Sequence, residues 1–426
     1  MHREYDKIRI EIRPCAILFG GPGLLGANLR RFLELGFVVM LAADACCAAQ
    51  VGGTPDQLRQ TALALEEQGQ TSQAEAAWGT LLKTHPSSSE AYAHMGLLEA
   101  RQGHYKEAVP LYRKALELNP SVSGLRLNLG LALFKGGELK QAIQEFTPLL
   151  NSEPSGSAEA ERLTILLGMA HYGLGEFAEA VPYFKEADKS DSRNLELRMA
   201  LAHSCLWSKQ YQCVLDTYHE ILLLNAESVE ADMLAGEAMD ELKDHAGAIL
   251  QFRAAVKVDP KQPDVHFGLG YLLWSDKQYS EAATEFQAEL ANNPNHAQAM
   301  TYLADADIQL NHPKAAQPLL ERVLRIDAKS EMAHLDLGIL YADAGRRDDA
   351  LREMLEAERL DPQDVNVHWR LGRLYRAMGR KDEAKVEVDK ASSITKAADS
   401  ALIDKIDRAR AKPSQAQEPL TRPEVK

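Results

Sequence analysis

The sequence predicts an all-α chain made of helical hairpins stacked in a row, and three observations predict it. First, prolines mark a period: Pro86, Pro120 and Pro154 stand 34 residues apart, and Pro260, Pro294 and Pro362 fall on the same ladder after a four-residue offset near Ser155 to Ala160. Self-similarity at such a period is the signature of a repeat architecture. Second, segments such as 95–120 and 337–362 each hold two apolar-periodic stretches of helical spacing, separated by a short polar turn. Third, apolar residues make up 45% of the chain and aromatics only 6%, with Ala and Leu abundant, a composition that favours helix.

Along the chain, residues 1–49 read as a targeting segment. The turn GGPGLLG at 20–26 follows the apolar run Cys15–Phe19 and precedes ANLRRFLELG. It resembles the opening β-α-β of a nicotinamide-dependent epimerase or dehydrogenase, with Asp44 near the place of a ribose-binding acid. The first repeat begins about ten residues after Asp44, so no room remains for a third strand or a substrate domain. Two parallel strands needing cover on both faces do not make a stable sheet. Nicotinamide-dinucleotide binding at this motif is therefore a remote alternative, and no cofactor is expected. Arg30-Arg31 followed by FLELGFVVMLAADACCAAQ has the basic start, apolar centre and small-residue end of a bacterial secretory signal, cut near Ala49–Gln50. The residues before the arginines are long for such a signal, which points to a translation start near Leu29. An uncleaved membrane anchor is the runner-up. Cys46 and Cys47 invite a lipoprotein reading, but Ala-Asp-Ala before them is a poor lipid-attachment context.

Residues 53–396 hold about ten copies of the repeat. A small residue recurs in every first helix: Ala62, Gly96, Gly130, Gly168, Ala202, Gly236, Gly270, Ala304, Gly338 and Gly372. A second small column, from Ala74 and Ala108 to Ala350 and Ala384, lies in the second helix, with Val214 its one larger member. Large residues four positions on (Trp78, Tyr112, Phe146, Phe184, Tyr218, Phe252, Phe286) fill the space that small neighbours leave. Proline stands where six of the second helices have to stop, and the skipped rungs fall at Ser192, Ala226, Ala328 and Lys396. This order of small and aromatic residues in a 34-residue helix–turn–helix unit resembles the tetratricopeptide repeat (TPR) family. Membership implies a right-handed α-solenoid superhelix with a concave inner surface, because single hairpins cannot bury their apolar faces alone. After the array, residues 397–412 read as a C-terminal capping helix, with Ser400 as N-cap and Leu402, Ile403 and Ile406 on one side. The polar, proline-rich residues 413–426 read as a disordered tail.

Composition narrows the function. A formal charge of −14 argues against nucleic acid as a partner, since that affinity rests on Lys and Arg displacing counterions. Five cysteines without C-x-x-C or Cys/His spacing exclude a structural zinc motif, and no metal is expected. Cys205 and Cys213 lie in the two helices of one hairpin and read as two buried thiols, with a bridge as the alternative if the chain is exported. H-E-x-x-H, Walker, G-x-S-x-G and EF-hand patterns are absent. His266, His334 and His368 share one early first-helix place and read as packing residues. The chain is therefore expected to be non-catalytic.

What remains is the inner wall, where first-helix residues three and four apart face away from the second helix. Those places offer Phe134, Tyr172, His203, Phe267, Tyr271, Trp274, Tyr302 and Trp369, with the acids Glu237, Asp240, Glu241 and Asp305 between them and Arg373 and Arg376 at the far end. Part of this aromatic set is expected to be inter-repeat core. The TPR family's chaperone-tail clamp, a Lys and an Asn in the groove helices, is replaced here by Ala93 and Leu97, Leu127 and Leu131, and Met233 and Glu237. The expected function is a scaffold that binds protein or peptide segments by aromatic contacts, in the periplasm or secreted. The alternative is a cytosolic or membrane-tethered adaptor, or a regulatory subunit of a partner enzyme.

Overall fold

The computed structural model describes residues 54–411 apart from 123 and 226. The glycine-rich turn at 20–26, the segment after Arg30-Arg31 and the tail from 412 on lie outside the described residues. Among those described, twenty helices and no strand are present, and no helix is long and apolar enough to cross a membrane. The chain divides into two compact units, with the boundary between Val258 and Asp259.

The first unit contains six hairpins: α1 (Pro55–Glu67) with α2 (Thr71–Thr84), α3 (Ser89–Arg101) with α4 (Tyr105–Leu118), α5 (Leu125–Lys135) with α6 (Leu139–Ser152), α7 (Ala158–Gly173) with α8 (Phe177–Ser190), α9 (Leu195–Trp207) with α10 (Tyr211–Leu224), and α11 (Val229–Glu241) with α12 (His245–Val258). The second contains four: α13 (Val265–Ser275) with α14 (Tyr279–Asn292), α15 (Ala297–Gln309) with α16 (Pro313–Ile326), α17 (Glu331–Asp343) with α18 (Arg347–Leu360), and α19 (Val365–Ala377) with α20 (Lys381–Ala411). Each unit is an all-α stack in which a hairpin packs on the next one in chain order.

Local chemistry explains where these helices start. Ser88, Ser157, Asn194, Ser228 and Ser330 each cap a first helix, the side-chain oxygen accepting a backbone N–H three residues on. Thr54 and Gln57 form a reciprocal capping box ahead of α1. The turn between the two helices of a hairpin needs one residue in the left-handed region. Gly137 supplies it at φ 84°, but at the same place the α9–α10 turn uses Lys209 at φ 61°, at the steric cost of a Cβ.

Inside each hairpin, the small first-helix residue faces the large residue sixteen positions later. A Cβ at Gly130 would lie 2.5 Å from Cε1 of Phe146, and one at Gly270 would lie 2.8 Å from Phe286. Where Ala304 replaces glycine the facing residue is Leu320, whereas Ala62 and Ala202 face the rings of Trp78 and Tyr218. Phe146, Phe286 and Leu320 are all fully buried. The glycine column thus sets the distance between the two helices of a hairpin.

Two expectations are corrected. Cys205 and Cys213 are joined by a disulfide between α9 and α10, their Cα atoms 5.8 Å apart, so they are not two free thiols. Nor does a separate capping helix begin at Ser400. The helix α20 runs unbroken from Lys381 to Ala411, and Ser400 sits inside it, its hydroxyl donating to the Lys396 carbonyl at 2.9 Å. Nothing between these residues breaks a helix, because 391–399 contain neither Gly nor Pro.

Candidate functional site

In the second unit the first helices stand side by side: α13 touches α15, α15 touches α17 and α17 touches α19, while no two second helices make comparable contact. The unit therefore has two layers, and the first-helix layer forms one continuous wall.

At one end of this wall lies an aromatic cluster. Phe267, Phe286 and Tyr302 form its buried floor, with the Phe286 and Tyr302 rings stacked at 5.9 Å and Phe267 and Phe286 tilted at 6.0 Å. Tyr271 and Trp274 stand half-buried on that floor. They stack on each other at 6.1 Å, and each meets Tyr302 edge to face, at 5.4 and 4.9 Å. The Trp274 indole N–H donates to the Asp305 carboxylate at 2.6 Å, and Gln309 donates to the other oxygen at 3.3 Å. Burial, and after it the Asp305 charge, raises the pKa of the nearby Tyr279. An indole held from its edge, with its ring on packed neighbours, is a preorganised apolar anchor.

At the other end of the wall, Trp369, Arg373 and Arg376 are exposed. The positions between are apolar, with Leu335 and Ile339 buried on α17.

In the first unit the predicted groove residues are mostly used up by packing. Phe134 tilts against Phe146 at 6.5 Å, and Tyr172 meets Phe177 and Phe184 edge-on. Burial, with a smaller contribution from the Glu230 charge, pushes the Tyr172 phenol up to about 12. The buried His203 ring pairs through Nε2 with Glu230 at 2.7 Å, tying α9 to α11. Glu237 and Asp240 are partly exposed, and Asp240 accepts a bond from His245 at 2.7 Å. Of the twelve residues predicted for the groove, Phe134, Tyr172, His203, Phe267, Tyr302 and Asp305 are therefore buried and cannot meet a ligand directly. Tyr271, Trp274, Glu237, Asp240, Trp369 and Arg373 retain exposed surface. The structure brings Phe267, Tyr271, Trp274, Tyr302 and Asp305 into one cluster, whereas Trp369 and Arg373 lie three hairpins further along the same unit.

Sequence reasoning missed a polar system. His266, His334 and His368 each pair with a glutamate nineteen residues later, on the second helix: Glu285 at 2.6 Å, Glu353 at 2.8 Å and Glu387 at 2.7 Å. Arg126 and Glu145 repeat the spacing at 2.9 Å. The recurrence of an acid at that interval after each histidine is visible in the letters. Among the described residues, two side-chain groups are close enough to hold a metal ion, Asp264 with Glu289 and His296, and Glu358 with His368 and Glu387. In each, donors of the chain already serve the carboxylates: the Phe267 N–H reaches Glu289 at 3.2 Å, and Lys390 bridges Glu358 and Glu387 at 2.7 and 2.9 Å.

Comparison with known proteins follows this geometry. A family model described as tetratricopeptide repeat matches residues 59–123, 94–156, 127–194, 234–297 and 335–391, and a second of the same description matches 273–336. The Caenorhabditis elegans protein described as tetratricopeptide repeat protein 8 is 25% identical over 148 residues, 34% of this chain and 29% of that protein. The Bos taurus BBSome complex member BBS4 is 22% identical over 203 residues, 48% of this chain and 39% of that protein. The chain thus spans well under half the length of the curated relatives it matches. Among solved structures, the C-terminal part of a TPR repeat-containing protein from Cytophaga hutchinsonii is 17% identical, with a TM-score of 0.46, covering 57% of this chain and 98% of that one.

Proposed function

Since this chain belongs to the tetratricopeptide repeat family, we propose that it is a non-catalytic scaffold of the bacterial cell envelope that holds partner proteins by extended or helical segments laid on its first-helix walls. The observation that carries this reading is the aromatic step at Tyr271 and Trp274. Two half-buried rings are fixed in place by a buried floor and by the bond from Trp274 to Asp305. Rigid aromatic anchors of this sort dominate the binding energy of protein interfaces, because little side-chain freedom is lost when the partner arrives. Repeat scaffolds of this family bind proteins, and shape alone does not name the partner.

Location outside the cytoplasm is supported by the disulfide between Cys205 and Cys213, since such bonds persist in oxidising compartments, and by the basic-then-apolar run after Arg30. Fractionation of the native cell tests it: recovery in the cytosol would favour the adaptor reading instead. The binding reading is tested by crosslinking in the cell, identifying the bound protein, and repeating the capture with Tyr271→Ala and Trp274→Ala together. Capture should fall at least about tenfold. Undiminished capture would place the binding surface elsewhere.

A further inference from the structure

Trp369, Arg373 and Arg376 recur at i, i+4 and i+7 along α19 and so lie on one stripe of it. This stripe is uncovered. Trp369 is 44% exposed, whereas Phe267 and Leu335, which hold its place in α13 and α17, are buried against the following hairpin. No ion pair or hydrogen bond engages the guanidinium group of Arg373 or of Arg376 among the described residues.

Earlier hairpins show what those two places do. Arg373 stands one residue after the small column, as His203 does, and His203 binds Glu230 of the next first helix at 2.7 Å. Arg376 stands four after it, as Trp274 does, and Trp274 donates to Asp305 of the next first helix at 2.6 Å. Both places therefore send a donor to a carboxylate on the first helix that follows. On α19 the donors are two cations, and the helix to receive them is missing from their side.

Counting one period on from α19, residues 399–411 fall in the register of a first helix. Asp404 takes the place of Tyr302, and Asp407 that of Asp305. Tyr302 is the residue that meets Tyr271 and Trp274, and Asp305 the one that bonds Trp274. A helix of this sequence laid on α19 as α15 lies on α13 would set Asp404 and Asp407 against Arg373 and Arg376. In its own chain this segment continues α20 without a break. The unbroken α20, of 31 residues, is about 46 Å long against about 20 Å for its mate α19, so its last turns run past the hairpin.

We infer that the uncovered stripe and the overrunning helix satisfy each other between two copies of the chain: residues 399–411 of one copy cover α19 of the other, and the exchange is reciprocal. A two-fold swap of an identical element is a low-cost route to a dimer, and the contact of Arg376 with Asp407 repeats the places of Trp274 and Asp305. The proposal does not depend on Tyr271 and Trp274, and the scaffold reading stands or falls separately from it.

Sedimentation velocity on the full-length chain tests the exchange. The wild type sediments as a dimer that weakens as salt rises. Arg373→Glu with Arg376→Glu, and separately Asp404→Arg with Asp407→Arg, each raise the dimer dissociation constant at least about tenfold, with helix content unchanged by circular dichroism. Mixing the two variants restores a dimer, because the glutamates of one meet the arginines of the other while the remaining contact keeps its native charges. A monomeric wild type, a charge-reversed variant that dimerises like it, or a mixture that stays monomeric would overturn the proposal. If residues 399–411 instead fold back on their own α19, the protein is a monomer whose melting falls on either reversal and recovers when both are combined in one chain. That result overturns the exchange as well.

Discussion

The indole of Trp274 donates to the carboxylate of Asp305 across the boundary between two hairpins, at 2.6 Å. The bond joins α13 to α15 and fixes the ring most suited to receive a ligand. Asp305 is 8% exposed, so its two oxygens rely on this donor and on Gln309 for their hydrogen bonds.

Trp274→Phe separates the anchor's apolar surface from its tether. The phenyl ring retains most of the contact with Tyr302 but leaves Asp305 a donor short, at a cost of about 1–3 kcal/mol. Hydrogen exchange should quicken in α13 and α15 before it does in α19. Unchanged exchange in those two helices would mean that the bond contributes nothing.

Gly130→Ala should destabilise the first unit by about 1–3 kcal/mol, since the new methyl lands on the Phe146 ring. Adding Phe146→Leu reproduces the natural pair Ala304 and Leu320, and should recover part of the loss. Thermal melts of the single and double variants decide this. A single variant as stable as the wild type contradicts the packing rule.

Asp232 is buried, and Tyr218 donates to it at 2.9 Å; burial raises its pKa, and the Tyr218 bond opposes that rise only in part. A folded-state pKa above the unfolded one means that the folded protein takes up the proton more readily. Ionisation of Asp232 therefore costs stability above that pKa, and the cost disappears as pH falls below the unfolded value. Asp232→Asn should be more stable than wild type at pH 7, with the gap closing below about pH 4. A gap that does not vary with pH would show that the carboxylate is not strained by burial.

Trypsin cuts after Lys209, between Cys205 and Cys213, so the bridged protein yields two linked peptides under non-reducing conditions. Mass spectrometry should find them joined in protein isolated without reductant, and separate after reduction. Reduction should lower stability by about 2.5 kcal/mol, the loop-closure entropy of so short a ring. Two freely alkylated peptides before reduction would exclude the bond.

The hairpins are legible in the sequence because their rules are local. A proline on six rungs of a 34-residue ladder, a small residue and, in seven hairpins, a ring sixteen later all act within one repeat. The wall is less legible because burial there depends on the neighbouring hairpin. Phe267, Leu335 and Trp369 occupy one register position, and only the last is exposed. Tyr302 and Phe134 carry the same helical spacing whether they face a ligand or the adjacent repeat. Asp305 reads as a solvated acid until Trp274 is seen to cover it. The unbroken α20 was hidden for another reason: Ser400 is a good cap by its chemistry, but a serine starts a helix only where the preceding residues leave one.

Each ring that closes a hairpin meets a partner only sixteen residues upstream, so closure requires little of the chain to have been made. Such short-range contacts favour fast folding, and domains that emerge from the ribosome in order can form in order. A nascent chain of this kind could complete one hairpin before the next has been translated, with each finished unit serving as the template on which the following one docks.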